Sequence, residues 1–203
     1  MKVLIIDNVE RADAGFNDPL RECVAKFADV DSVNYKDIPL LNALHEQYEA
    51  IILGGSPLHY SNEVIDSRLP YLQWIPELTI PILGICLGHQ NISRLFGGQL
   101  LIDEEAENGH LPLEVVGADP LHANIRSGDH VRLMHRASVT LPPGFMQLAS
   151  TRTCRNQAMK HSTKAIYGVQ FHPELSEIGE VFLSNFIGLA DTSSLPNRNR
   201  DLA

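Results

Sequence analysis

The chain has 203 residues, of which 44% are hydrophobic and 20% charged, proportions of an ordinary globular protein. Its net charge of −9 argues against nucleic acid and anionic membrane as partners, because both need a basic field, and no run of about 18 apolar residues could cross a bilayer. Three scattered cysteines, Cys23, Cys86 and Cys154, do not make a disulfide framework, so a cytoplasmic location is expected, and the opening MKVLIID turns acidic too soon for a secretory leader.

Lys2–Ile6 is a β-branched run that Asp7 and Asn8 end, as in the first strand of an α/β sheet. Leu20, Val24 and Phe27 then recur at helical spacing, with Asp18 as N-cap and Pro19 at the first helical position. Ala50–Leu53 is a second buried strand, punctuated by Gly54-Gly55. Asn62 to Trp74 predicts a helix that Pro70 and Pro76 keep short or broken. Ile80–Ile85 is a third strand, and Gly88 to Phe96 a helix that stops at Gly97-Gly98.

The middle of the chain changes character. Leu113–Val116, Val131–Met134, Phe145–Ala149 and Gln157–Lys160 predict short strands between Gly and Pro turns; Ile166–Phe171 is a stronger strand, and Leu175 to Leu189 a final helix. Residues 191–203 are polar and aperiodic, a solvated tail. The expectation is one α/β domain over residues 1–190: a mostly parallel central sheet with helices on both faces, a flavodoxin-like sandwich carrying a small additional β segment.

The stretch ILGICLGHQ, residues 82–90, places a cysteine between two glycines where a strand gives way to a helix. That is the pattern of a nucleophile elbow. Gly84 and Gly88 relieve the crowding of a tight turn, and the turn pushes Cys86 into a strained, exposed position at a helix N-terminus. There the thiol is activated, and the Leu87 N–H can hold a developing oxyanion. A lone buried cysteine is more often a small hydrophobe; the paired glycines reverse that expectation.

A thiol nucleophile needs a base. Among nine histidines, His172 stands out because it ends the strand IYGVQFHPE. In extended backbone, residues two apart share a side, so Glu174 can orient its imidazole as a triad's third member does. The bland alternative is a surface turn. Gly54-Gly55-Ser56 follows a buried strand and offers close backbone approach, with the Gly55 N–H as a second oxyanion donor; an ordinary turn is the alternative. Cys23 and Cys154 are read as non-catalytic, although Arg152 and Arg155 flank the latter.

GICLGHQ, FGG at Phe96–Gly98, ENG at Glu107–Gly109, YGVQFHPE at Tyr167–Glu174 and ILGG at Ile52–Gly55 together resemble the class I (triad) glutamine amidotransferases, in order and spacing, over roughly residues 1–190. The C-terminal third is most similar to the amidotransferase subunit or domain of GMP synthetase. The resemblance implies that Cys86 attacks the side-chain amide of L-glutamine, that His172 shuttles the proton, and that Glu174 orients His172. It also implies that Leu87 and Gly55 form the oxyanion hole, that Gly54, Gln90 and the backbone at Arg136 and Ala137 bind substrate, and that ammonia passes to a separate synthetase chain. No metal or cofactor is expected in this chain; ATP and Mg belong to the partner.

Two departures accompany the resemblance. Met134-His135-Arg136-Ala137 stands where the GMP synthetase amidotransferases carry SHxD, and the oxyanion loop reads GGSP where GGP is usual. They leave two alternatives open: a free-standing γ-glutamyl hydrolase, and a degenerate regulatory or binding subunit without glutaminase activity.

Overall fold

In a computed structural model, residues 1–190 are described apart from 14, 39–43, 45 and 58–60; the polar tail lies outside the described residues. Eight strands form the main sheet: β1 (Lys2–Asp7), β2 (Asp29–Asn34), β3 (Ala50–Leu53), β4 (Ile82–Ile85), β6 (Glu114–Val115), β8 (Phe145–Ser150), β9 (Ala158–His161) and β10 (Ile166–Val169), in the order β2-β1-β3-β4-β10-β9-β8-β6. β2, β1, β3, β4 and β10 run parallel, and β9, β8 and β6 extend the sheet antiparallel. β5 (Leu100–Pro112) and β7 (His130–Val139) pair separately as an antiparallel ribbon.

Alternation along the central strands supplies both faces. Val3, Ile5, Ala50, Ile52, Leu83 and Ile85 pack on α1 (Asp18–Val24) and on the last helix, through Leu20, Val24, Phe182 and Phe186. Leu4, Ile6, Ile51, Leu53 and Ile82 face the other way, onto Tyr35, Leu72, Ile75 and Ile92. Each such aliphatic side chain, fully buried, stabilises the fold by roughly 1.5–3 kcal/mol. The continuous apolar runs of the short strands follow from this double burial.

The expected elements are present with shifted ends. Asn17, not Asp18, is the N-cap of α1, and its side chain donates to Asp7 (3.0 Å) instead of capping. The segment 62–77 is cut into α2 (Asn62–Asp66), α3 (Leu69–Leu72) and a 3-10 turn, with a proline opening each of the last two. α4 (Leu87–Leu95) follows β4 at once. The last helix, α5, spans Glu177–Ala190 after a 3-10 turn at Pro173–Leu175. Two features escaped the sequence reading: β2, whose DVDSVN is polar because it is the edge strand, and β5, whose polar ENGH pairs with β7 outside the main sheet.

Residues of β4 and β10 far apart in sequence lie side by side, with Ile85 opposite Val169. Cys86 and the segment 170–172 therefore emerge together at the carboxyl end of the parallel sheet, where α/β folds place their ligands.

Candidate active site

Cys86 has φ +51° and ψ −105°, a backbone conformation that L residues rarely adopt. Sterics impose it. A Cβ on Gly84 would lie 2.5 Å from the Gly88 carbonyl, and one on Gly88 would collide with the carbonyl oxygen of Leu53, so the helix descends onto β3 and β4 only with both glycines. The Cys86 N–H donates to Val169 O (2.8 Å), tying the elbow to β10. The strain agrees with the expectation; the exposure does not. Cys86 is fully buried, with Gln170, just past β10, at the sulfur and Gly55 of the loop after β3 against its Cβ.

His172 is buried and held by its own N–H, which donates to Arg132 O of β7 (2.8 Å). Its Nδ1 lies 2.8 Å from Glu174 Oε1, with the carboxylate side chain also largely buried. The pairing was expected, but the geometry behind it differs. Glu174 sits in the 3-10 turn Pro173–Leu175, so the turn curls the carboxylate back onto the ring. Burial alone would lower the imidazole's pKa; the negative charge and hydrogen bond of Cys86, with the Glu174 carboxylate, outweigh it and raise it to about 10. His89, the histidine nearest Cys86 in sequence, is fully buried behind Gly168 and pushed down to about 3 by burial, so it stays neutral and is not the base.

Gly55 lies against both groups: a Cβ there would be 3.2 Å from His172 Cε1 and 3.5 Å from the Cys86 Cβ. Leu87 opens α4 directly after the thiol, where helix N–H groups lack intrahelical acceptors. Gly54 is placed differently from Gly55. Its N–H donates to Ile6 O and its carbonyl accepts from Asn8, both at 2.9 Å, and the residue faces Asn17, so it shapes the loop with both backbone groups engaged. Gln90 is fully buried, and its Nε2 donates to Ala137 O (3.2 Å) and to Gln170 Oε1 (3.0 Å). Ala137 is buried, whereas the Arg136 side chain is exposed at the cleft.

A cleft of about 370 Å³ leads from His172 outward, lined by Phe16, Ser56, Asn108, Met134 and Arg136 among others. Its inner wall is a polar cluster that the sequence reading missed. Glu107, known there only as part of a motif, accepts from Thr151 (2.5 Å), Thr153 and Gln157 (2.5 Å), and contacts His135 Nε2 at 2.9 Å. Burial would raise its pKa, yet the bonds from His135, Thr151 and Thr153 hold it below the usual carboxylate range. Cys154 is buried beside Glu107 and His135. Only a buried acid flanked by threonines and a glutamine far away in sequence could have signalled the cluster.

The family profile described as glutamine amidotransferase class-I matches residues 6–187. The chain belongs to the class-I glutamine amidotransferase family. The glutamine-hydrolysing GMP synthase subunit of Methanosarcina barkeri is 35% identical over 156 residues, 75% of this chain and 79% of that one. The protein of the same name from Pyrococcus abyssi is 41% identical over 142 residues, 68% and 74% of the two chains. A crystal structure from Thermoplasma acidophilum, provisionally named as the same GMP synthase subunit, superposes with a TM-score of 0.79 at 27% identity, covering 94% of each chain. A Thermotoga maritima glutamine amidotransferase shares the fold, with a TM-score of 0.67 at 22% identity and 97% and 86% coverage.

Among the described residues no helix is long and apolar enough to cross a membrane.

Proposed function

We propose that this chain is the glutamine-hydrolysing subunit of an amidotransferase, with Cys86 as nucleophile, His172 as proton shuttle and Glu174 as its orienting carboxylate. The observation that carries the proposal is the strained elbow cysteine hydrogen-bonded to a buried, carboxylate-paired imidazole. In this scheme the thiol proton passes to His172, and the sulfur attacks the side-chain carbonyl carbon of L-glutamine. The resulting oxyanion is held by the N–H groups of Leu87 and Gly55. The C–N bond breaks as His172 gives its proton to the leaving ammonia. Water, deprotonated by His172, then cleaves the thioester to glutamate and restores the thiol.

Arg136, exposed at the cleft mouth, is the side chain that would meet the α-carboxylate, and Gln90 with the Ala137 backbone would set the depth of the chain. The ammonia acceptor, on this proposal, is a separate synthetase that supplies ATP and Mg; the relatives named as glutamine-hydrolysing GMP synthase subunits support a GMP synthetase-like partner. The intact triad geometry favours this over a degenerate regulatory subunit.

The test is glutamate release from glutamine and from γ-glutamyl peptides, with and without candidate synthetase chains, together with labelling by an electrophilic glutamine analogue. Label on Cys86 and glutaminase activity that rises with a synthetase support the proposal. Faster turnover of γ-glutamyl peptides, indifferent to every synthetase, would establish the free-standing hydrolase instead.

A further inference from the structure

The extended segment that follows β10 delivers two polar side chains, Gln170 and His172, to the nucleophile. Gly168, Gln170 and His172 alternate with Val169 and Phe171, which point into the core, so the first three share the face turned towards α4. Gly168 lies against His89 of that helix. Gln170 is fully buried, and its N–H donates to Gln157 O (2.8 Å), fixing its backbone. Its side-chain Nε2 stands 3.7 Å from the sulfur of Cys86, within hydrogen-bonding range for sulfur.

Which end of this amide meets the sulfur follows from its neighbours. The carbonyl of Ala137 can only accept, so the Gln90 group bonded to it at 3.2 Å is the NH₂. That same NH₂ reaches the Gln170 amide at 3.0 Å, so the atom it meets there is the oxygen. The remaining end of Gln170, aimed at Cys86, is therefore the donor. A directed chain runs from the Ala137 carbonyl of β7 through Gln90 and Gln170 to the thiol, all of it buried. Its last donor is an uncharged amide that, unlike the imidazole of His172, does not titrate.

We propose that Gln170 is a positioning residue for the nucleophile: its amide N–H holds the Cys86 sulfur in the rotamer that faces His172 and favours negative charge on it, and Gln90 keeps that amide turned the right way. Donors aimed at a developing anion stabilise it more than they stabilise the neutral thiol. The arrangement also joins the nucleophile to the segment Arg136–Ala137, so a ligand that displaces Gln90 from the Ala137 carbonyl would be felt at the sulfur. The proposal deepens the glutaminase reading and rests on it for its purpose, but not for its measurement.

Iodoacetamide alkylation of Cys86 at pH 7, followed by mass spectrometry of the Cys86 peptide, reads the reactivity of the sulfur without any substrate. In Gln170→Met, which keeps the length of the side chain and removes both amide ends, alkylation should slow about five- to tenfold, the effect of one hydrogen bond to a charged group. Glutaminase kcat should fall by a similar factor with KM within about twofold. A folded Gln170→Met protein, judged by near-UV circular dichroism, that alkylates at the wild-type rate overturns the proposal. If that variant does not fold, Gln90→Met decides: it frees the Gln170 amide to rotate without touching the sulfur. Alkylation about two- to threefold slower is expected, and an unchanged rate overturns the proposal. Slowed alkylation in a protein that hydrolyses no glutamine would leave the positioning role standing and remove the glutaminase reading alone.

Discussion

At the elbow, Cys86 is held by backbone: two glycines let β4, α4 and β3 approach closely, and a main-chain bond to Val169 locks the turn. Across the cleft, the β5–β7 ribbon pairs through its own backbone, and it is tied to the segment 151–157 by side chains that converge on one carboxylate, Glu107. The backbone device tolerates almost no change at its glycines and is indifferent to pH. The side-chain device depends on charge and on every partner being present, because a buried polar network left partly unsatisfied costs more than it contributes. The first keeps the nucleophile in one place, and the second holds the inner wall of the cleft.

The largest effects should come from the elbow side. Cys86→Ala and His172→Ala should each lower glutaminase kcat by about 10⁴-fold or more, because triad members act as a unit, while Glu174→Gln should lose less. Steady-state glutamate release measures all three, and a Glu174 variant weaker than the His172 variant would reverse the roles assigned to them.

Gly84→Ala comes next. The added Cβ meets the Gly88 carbonyl at 2.5 Å, backbone that cannot move aside, so a loss of about 3 kcal/mol in urea unfolding is expected. An unchanged midpoint would show that the elbow can relax.

The ribbon should respond to charge. Glu107→Gln presents an amide N–H to groups that donate to the carboxylate, and should cost about 2 kcal/mol. Because the folded pKa of Glu107 is lowered, its stabilisation is present above the unfolded value of 4.5 and is lost as pH falls through the lower folded value. Wild type and variant should therefore converge in acid urea titrations. His172 carries the opposite sign: its pKa is raised to about 10, so its contribution is full below 6.5 and is lost as pH rises through about 10. Glutaminase activity should fall over the same alkaline window, as the imidazolium that protonates the leaving ammonia disappears. Glu174→Gln should shift that limb to lower pH.

The smallest effect should be Arg136→Ala, an exposed side chain at the cleft. A rise of about three- to tenfold in KM for glutamine with little change in kcat is expected from loss of one charge-assisted contact. Unchanged KM would assign the substrate carboxylate to other groups.

Much of the elbow half was legible because its constraints are local. An apolar run that ends in Gly-x-Cys-x-Gly leaves few conformations open to the backbone, and the short continuous strands announced a sheet buried on both faces. The fold class and the pairing of His172 with Glu174 follow from residues close together in the chain. The details that sequence could not supply are those set by neighbours distant in sequence. Cys86 is buried with Gly55 and Gln170 against it, a meeting that only the register of β4 against β10 decides. Gly54 spends both backbone groups on Ile6 and Asn8. Glu107 finds Thr151, Thr153, Gln157 and His135 only once β5 and β7 pair and the turn after β8 comes alongside. The sequence by itself determined which residue types stand at the elbow and the strand end; the tertiary structure decided which polar atoms meet, because hydrogen bonds form within about 3 Å and local pattern does not encode contacts across fifty residues.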